Sequence, residues 1–125
     1  MFKRLENCYN TADFRALAKQ NIPGPIFHYI DGAADDEKTY FHNTEAFDKC
    51  DLVPNVLNPV TNIDTSVEIL GKKIDLPIFL SPTALQRLFH HEGERAVGEA
   101  AEEFNTYFGI SSLATIGIKE IGKKF

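Results

Sequence analysis

Asp75-Leu76-Pro77-Ile78-Phe79-Leu80-Ser81-Pro82-Thr83-Ala84 is a short apolar run that ends abruptly in a small polar loop. Leu76 to Leu80 is too short for a core helix and is bounded by Asp75 and Ser81-Pro82, which predicts a strand buried on both faces, as in a parallel sheet covered by helices. Working outward, Glu92 to Asn105 sets Ala96, Val97, Ala100, Ala101 and Phe104 on one stripe with Glu99, Glu102 and Glu103 opposite, the pattern of an amphipathic helix. Tyr107 to Ser112 is a second short apolar run, again ending in hydroxyls at Ser111-Ser112. Strand, helix, strand defines an α/β chain. Ligands of such sheets sit at the carboxyl ends of the strands, so Ser81–Ala84 and Ser111–Thr115 are expected to share one rim.

The totals narrow the classes. With 125 residues, 43% hydrophobic and 25% charged, the chain has the size and composition of one ordinary globular domain. Net charge is -5 and the thirteen Lys and Arg are scattered, which argues against a nucleic-acid surface. Cys8 and Cys50 match neither a CxxC motif nor a zinc-knuckle spacing and suit reduced thiols in a cytosolic protein. No apolar run approaches the roughly 18 to 20 residues of a bilayer span, and Met1-Phe2-Lys3-Arg4 leads into no signal-peptide core, so a soluble chain made in the cytoplasm is expected.

Upstream, Thr11 is expected to cap a first helix with Phe14, Leu17 and Ala18 on its apolar side, ended by Asn21-Ile22-Pro23-Gly24-Pro25. Pro25 suits the first residue of a second helix, where Ile26, Tyr29, Ile30 and Ala33 share a face and Tyr29 points inward. Asp35-Asp36-Glu37 suit the start of a third helix running towards Lys49, with Tyr40, Thr44 and Phe47 as its buried edge. From Asp51 to Asn62, Pro54 and Pro59 favour an extended segment that Leu52, Val53, Val56 and Leu57 pin to a core. Val67-Glu68-Ile69, Gly71-Lys72 and Ile74–Leu76 read as a hairpin. Ile118, Ile121 and Phe125 fall at helical spacing at the far end. Two such parallel strands leave edges uncovered, and a barrel of eight strand-helix units takes about 250 residues, so the chain has the front end of a barrel.

These stretches taken together are similar to the amino-terminal part of the FMN-dependent α-hydroxy acid dehydrogenases and oxidases, the family of flavin-type L-lactate dehydrogenase and glycolate oxidase. The resemblance runs from Asp13-Phe14-Arg15 onward. It rests on Phe27-His28-Tyr29-Ile30-Asp31-Gly32-Ala33-Ala34-Asp35-Asp36-Glu37, on Asn43 to Phe47, on Leu52-Val53-Pro54-Asn55-Val56-Leu57, on Leu76 to Leu85 with His90 and Gly93-Glu94, and on Ile110-Ser111-Ser112-Leu113-Ala114-Thr115. It implies the amino-terminal part of a TIM (β/α)8 barrel, incomplete in this chain, with residues 1–62 a helical lead-in and 63–125 a hairpin and the first two barrel units. It also implies FMN as cofactor. Tyr29 matches a tyrosine whose hydroxyl helps bind the substrate carboxylate; alone it would read as a core tyrosine. Pro82, Thr83 and Ala84 match the loop lying against the flavin ring, where a small side chain and free backbone N–H groups allow close approach; alone they would read as a turn. Ser111 matches a flavin-contacting serine, where the residues by themselves suggest a strand-end hydroxyl facing water.

The resemblance further implies oxidation of an L-2-hydroxy acid to the 2-keto acid, with L-lactate suggested by Pro82-Thr83-Ala84-Leu85-Gln86-Arg87-Leu88-Phe89-His90-His91. A homo-oligomer at full length is implied too, cytoplasmic or held at the inner face of the membrane through its electron acceptor. Gly32-Ala33 replaces the family's Gly-Gly, and Leu113 stands where glycolate oxidases carry an aromatic residue. The family's catalytic histidine, substrate-binding arginines, flavin-activating lysine and phosphate loops belong to later strands and have no counterpart here, so this chain contains no catalytic residue and is expected to be inactive alone. The alternative is a non-catalytic assembly or binding module of the same descent. His90-His91-Glu92 with Glu94 offers one helical pair where zinc needs three or four protein ligands, so no metal is expected. His28 and Tyr29 are helix neighbours facing about 100° apart, so His28 is read as structural or surface.

Overall fold

Asn10 starts the first α-helix of the chain, after a short 3-10 turn over Leu5–Asn7. Its side chain accepts the Asp13 N–H at 2.9 Å, and Asp13 in return accepts the Tyr9 N–H at 2.9 Å, so two otherwise orphan donors are satisfied reciprocally. The cap is therefore Asn10, one residue before the expected Thr11, and helix α1 runs Thr11–Asn21. A computed structural model describes residues 4–123 of the protein, which divides into two units, Met1–Asn58 and Pro59–Phe125.

In the first unit, Pro23 stops α1 and α2 follows over Gly24–Asp31 with Pro25 in its first turn. The two helices are tied by Arg15, whose Nη2 donates to Asp31 at 2.8 Å while Nε donates to the other carboxylate oxygen. That guanidinium hydrogen bond holds the Asp31 carboxyl below its ordinary value. Phe27 is the buried residue of α2. Tyr29, expected to point inward, is instead 54% exposed, because two residues along a helix is about 200° of rotation from Phe27. Helix α3 spans Lys38–Glu45 and a 3-10 turn covers Phe47–Lys49, shorter than the expected run from Asp35. Asp35 and Glu37 take left-handed φ values of 48° and 55°, so the acidic trio forms a turn ahead of the helix. Tyr40, Thr44 and Phe47, read as a buried edge, are not buried. Leu52, Val53, Val56 and Leu57 likewise lie open in an irregular segment, with Leu57 98% exposed, so they do not pin it to a core.

The second unit opens on the expected hairpin. Strands β1, Val67–Ile69, and β2, Lys72–Ile74, pair antiparallel with Val67 opposite Ile74. Leu70 and Gly71 both take positive φ, 53° and 75°, the requirement of a two-residue turn that follows strand twist. Ile74 is fully buried beneath it. The Thr65 hydroxyl donates to the Asp75 carbonyl at 2.7 Å and the Tyr107 hydroxyl to the Ile69 carbonyl at 2.7 Å, fastening both hairpin ends.

Leu80 and Phe108 then form a parallel bridge, with Leu80 N–H donating to the Tyr107 carbonyl at 2.9 Å and Gly109 N–H to the Leu80 carbonyl at 2.8 Å. Between them lies helix α4, Glu94–Glu103, so the strand, helix, strand order is present. The strands themselves are shorter than read. Leu76, Ile78 and Phe79 are exposed rather than buried on both faces, because Pro77 has no N–H and, among the described residues, the run forms a single β-bridge, at Leu80. Helix α4 buries Glu94, Gly98 and Ala101 and leaves Phe104 exposed, so its inner stripe is turned from the expected one by the inward Glu94. A last helix, α5, spans Ile118–Ile121 and buries Ile121; Phe125 lies outside the described residues.

Candidate functional site

The rim of the second unit is made by the loop after Leu80 and the loop after Ile110. Their closeness begins at Gly109, where an added Cβ would stand 2.8 Å from Pro82 Cδ and 3.2 Å from Pro82 N. Only a glycine lets the second strand approach the first loop this closely. Farther out, Leu85 N–H donates to the Leu113 carbonyl at 3.1 Å and Arg87 N–H to the Thr115 hydroxyl at 3.3 Å. Leu85 holds a left-handed φ of 54°, a conformation that a non-glycine residue keeps only where its surroundings enforce it. Ser81–Ala84 thus shares one rim with Ser111–Thr115 through Leu85 and Arg87, the residues just beyond it, which bond to Leu113 and Thr115.

Within the first loop Thr83 and Ala84 are half-buried, and the Thr83 carbonyl accepts from the Gln86 side chain at 3.3 Å. Among the described residues, the Thr83 and Ala84 N–H groups have no hydrogen-bond partner. Across from them Ser111 is half-buried, and its Oγ accepts the Leu113 N–H at 3.1 Å, which shapes the second loop into a tight turn. That hydroxyl keeps its proton to donate. Beside Ser111 opens a cavity of about 360 Å³, lined by Ile110, Ala114, Ile116 and Ile118 among others. Pro82, Thr83, Ala84 and Ser111 are therefore brought to one rim. Tyr29 belongs to the other unit, on α2, with its ring half exposed.

The role of one group on this rim, Glu94, is not legible in the sequence. Glu94 has no exposed surface, and its carboxylate accepts the Thr115 N–H at 2.8 Å and the Thr115 hydroxyl at 2.6 Å. Burial pushes the carboxyl up, and hydrogen bonds from the Thr115 hydroxyl and from the backbone N–H groups of Thr115, Glu94 and Gln86 outweigh it, leaving the group below its ordinary value. Gln86 is buried alongside. A glutamate in the first turn of a helix reads from sequence as a solvated charge favoured by the dipole, and no local spacing links it to a threonine 21 residues on. By contrast His90 stays local, its Nδ1 accepting the Glu92 N–H at 3.3 Å.

Two unpaired N–H groups, one hydroxyl and a methyl-sized side chain suit a flat aromatic ring with acceptors along its edge, approached closely on one face. The model of the FMN-dependent dehydrogenase family matches residues 18–124. Glycolate oxidase of Spinacia oleracea is 39% identical over 112 residues, 90% of this chain and 30% of that protein. The 4-hydroxymandelate oxidase of Amycolatopsis orientalis is 34% identical over 110 residues, 88% of this chain and 31% of that enzyme. A soluble mutant of the membrane-associated (S)-mandelate dehydrogenase from Pseudomonas putida superposes with a TM-score of 0.88 at 28% identity, over 94% of this chain and 34% of that one. The chain spans about a third of the length of these relatives. With most of its residues matched to one family model and a fold shared with solved relatives, the chain belongs to the FMN-dependent dehydrogenase family, whose cofactor is FMN.

Proposed function

We propose that these residues form the amino-terminal part of an FMN-dependent enzyme that oxidises an L-2-hydroxy acid to the 2-keto acid. The observation that carries this is the rim loop, where Thr83 and Ala84 present unpaired N–H groups beside a small side chain in a chain of this family. We take 1–62 as the helical lead-in and 63–125 as the hairpin and first two units of a (β/α)8 barrel. The glycolate and hydroxymandelate oxidases among its relatives support the substrate class. L-lactate is the narrower choice, supported by the Pro82–His91 sequence, whose Leu113-bearing partner loop lacks an aromatic wall.

Bound FMN supplies the two-electron acceptor for the oxidation. Pro82, Thr83, Ala84 and Ser111 would hold the flavin ring, with the small Ala84 side chain leaving room for it and the Thr83 and Ala84 N–H groups and the Ser111 hydroxyl available to donate to it. Tyr29, half exposed on α2, donates its hydroxyl to the substrate carboxylate. All of these are positioning groups, and positioning without a general base does not complete the proton transfer. The 125 residues alone are accordingly read as inactive. A cytoplasmic location, with contact to the inner membrane face through the electron acceptor, belongs to the same proposal; its support is the membrane association named for the P. putida enzyme.

The test is made in the full-length protein that carries these residues. Ala84→Phe should expel the flavin, while Tyr29→Phe should keep it and weaken substrate binding roughly tenfold to a hundredfold, the cost of one hydrogen bond to a charged group. Normal flavin content in Ala84→Phe would remove the loop from the flavin site. A second reading, a non-catalytic module, is favoured by the exposed row of Leu76, Ile78 and Phe79. A monodisperse 125-residue chain that captures a partner protein on that row and never binds FMN would select it.

A further inference from the structure

We propose that Glu94 is the clasp that holds the Pro82–Ala84 loop in register with the Ser111–Thr115 loop, a positioning residue for the rim; its meaning for flavin rests on the function proposed above.

The assignment starts from polarity. The Thr115 hydroxyl has one proton, which it donates to Glu94 at 2.6 Å, leaving its lone pairs to accept the Arg87 N–H at 3.3 Å. The other carboxylate oxygen takes the Thr115 N–H at 2.8 Å. One side chain on α4 thereby orders a residue of the second loop, and that residue orders the first. The parallel link from Leu85 N–H to the Leu113 carbonyl, at 3.1 Å, closes the other side of the frame. Both hydrogen bonds to the carboxylate come from Thr115, one to each oxygen, and hydrogen bonds to an ionised acceptor are about twice as strong as neutral ones.

The backbone is built to bring Glu94 inside. Gly93 sits at φ +52°, and a Cβ there would meet Arg87 Cγ at 2.6 Å and Arg87 N at 3.2 Å. The turn into α4 therefore packs directly on the first loop. A charge serving only the helix dipole could stay in solvent, where many first-turn glutamates are found. Complete burial with both carboxylate oxygens bonded to Thr115, which in turn accepts from Arg87, has a different use: it fixes the distance between the two walls that we assign to the ring.

The decisive probe is the Leu85 N–H, which bonds to neither Glu94 nor Thr115. Amide hydrogen exchange by NMR on the chain as it stands should show Leu85, Arg87 and Thr115 exchanging at least tenfold faster in Glu94→Gln and Thr115→Val, with the β1–β2 hairpin amides unchanged. Thr115→Ser, which keeps the hydroxyl, should restore slow exchange. Unchanged Leu85 exchange in both variants, equal acceleration of the hairpin amides, or an unprotected Thr115 N–H in the wild type would overturn the clasp. In the full-length protein, Glu94→Gln should weaken FMN binding at least tenfold. An accelerated Leu85 with unaltered FMN affinity and flavin spectrum would overturn the flavin assignment of the rim and leave the clasp intact.

Discussion

The two units of this chain place their apolar residues in opposite ways. In the first, Phe27 is the buried hydrophobic residue among those described, while Leu52, Val53, Val56 and Leu57 stand in the open. Among the described residues its backbone hydrogen bonds, such as Ile22 N–H to the Ala18 carbonyl and Gly32 N–H to the His28 carbonyl, close within a helical turn. In the second, Ile74, Ala101, Ile116 and Ile121 are buried, and single bonds span 38 residues from Tyr107 to Ile69 and 21 from Thr115 to Glu94. Helices made by local bonds need no core to form their hydrogen bonds, but they do need one to be stable. The second unit supplies its own, and it is the unit that carries the rim.

The sharpest way to break this contrast is to truncate one apolar residue in each. Ile74→Ala should cost about 2 to 5 kcal/mol, because it removes buried methyls and leaves a cavity. Leu57→Ala should stay within about 0.5 kcal/mol, as for surface changes generally. Urea denaturation of the two variants makes the comparison. Equal losses would show that the exposed segment is covered in solution and that the contrast is false.

Acid should separate the units next. The Glu94 carboxyl lies below its ordinary value when folded, so the stability it confers is complete above the unfolded value of about 4.3 and is lost as pH falls through the lower folded one. Hydrogen bonds to a charged group contribute roughly 1.5 to 3 kcal/mol each. Melting of the second unit should therefore fall steeply in that acid window, and Glu94→Gln should flatten the fall. Asp31 is also lowered, by its hydrogen bond from Arg15, and its contribution changes with pH in the same direction. That pair is solvent-screened, so Asp31→Asn should alter the acid melt much less. A steep dependence surviving in Glu94→Gln would mean that the rim is not held by this charge.

What the sequence disclosed follows the range of the interactions. The hairpin was legible because Gly71 between two alternating runs is a local signal, and α4 because its period is local. The two rim loops were legible because apolar runs ending in Ser81-Pro82 and Ser111-Ser112 mark strand ends. The Glu94–Thr115 link was hidden, since nothing in either neighbourhood requires the other. Ile26, Tyr29 and Ile30 share a helical stripe that would point Tyr29 inward, whereas the face that is covered centres on Phe27. Burial of Leu76, Ile78 and Phe79 requires a sheet with neighbours on both edges, and the described residues supply one bridge.

A smaller effect is expected at Gly109. Its φ is not what demands glycine; the space beside Pro82 is, since an added Cβ meets Pro82 Cδ at 2.8 Å. Gly109→Ala should cost about 1 to 3 kcal/mol, the usual range for overpacking. It should also push Pro82 outward, which NMR shifts of Thr83 and Ala84 would report. Unmoved shifts would show that the loop is placed from elsewhere, and would leave the clasp side of the rim as its only anchor.

The smallest effect belongs to the first unit and tests whether its helices are as local as they look. Asn10 accepts the Asp13 N–H at 2.9 Å, while Asp13 accepts the Tyr9 N–H, so the start of α1 is closed by side chains within four positions of each other. Removing the acceptor in Asn10→Ala should cost about 1 kcal/mol, whereas Asn10→Gly should cost only a few tenths, because glycine leaves the terminal N–H groups open to water. Far-ultraviolet circular dichroism under mild urea should therefore rank wild type, Asn10→Gly and Asn10→Ala in that order of helix retained. Because the interaction is local, exchange of the Asp13 N–H should quicken while that of Phe27, one helix later, barely changes. Equal quickening at Asp13 and Phe27 would show that α1 and α2 open together, with the Arg15–Asp31 pair rather than the cap controlling the unit, and the first unit would then resemble the second more than its hydrogen bonds suggest.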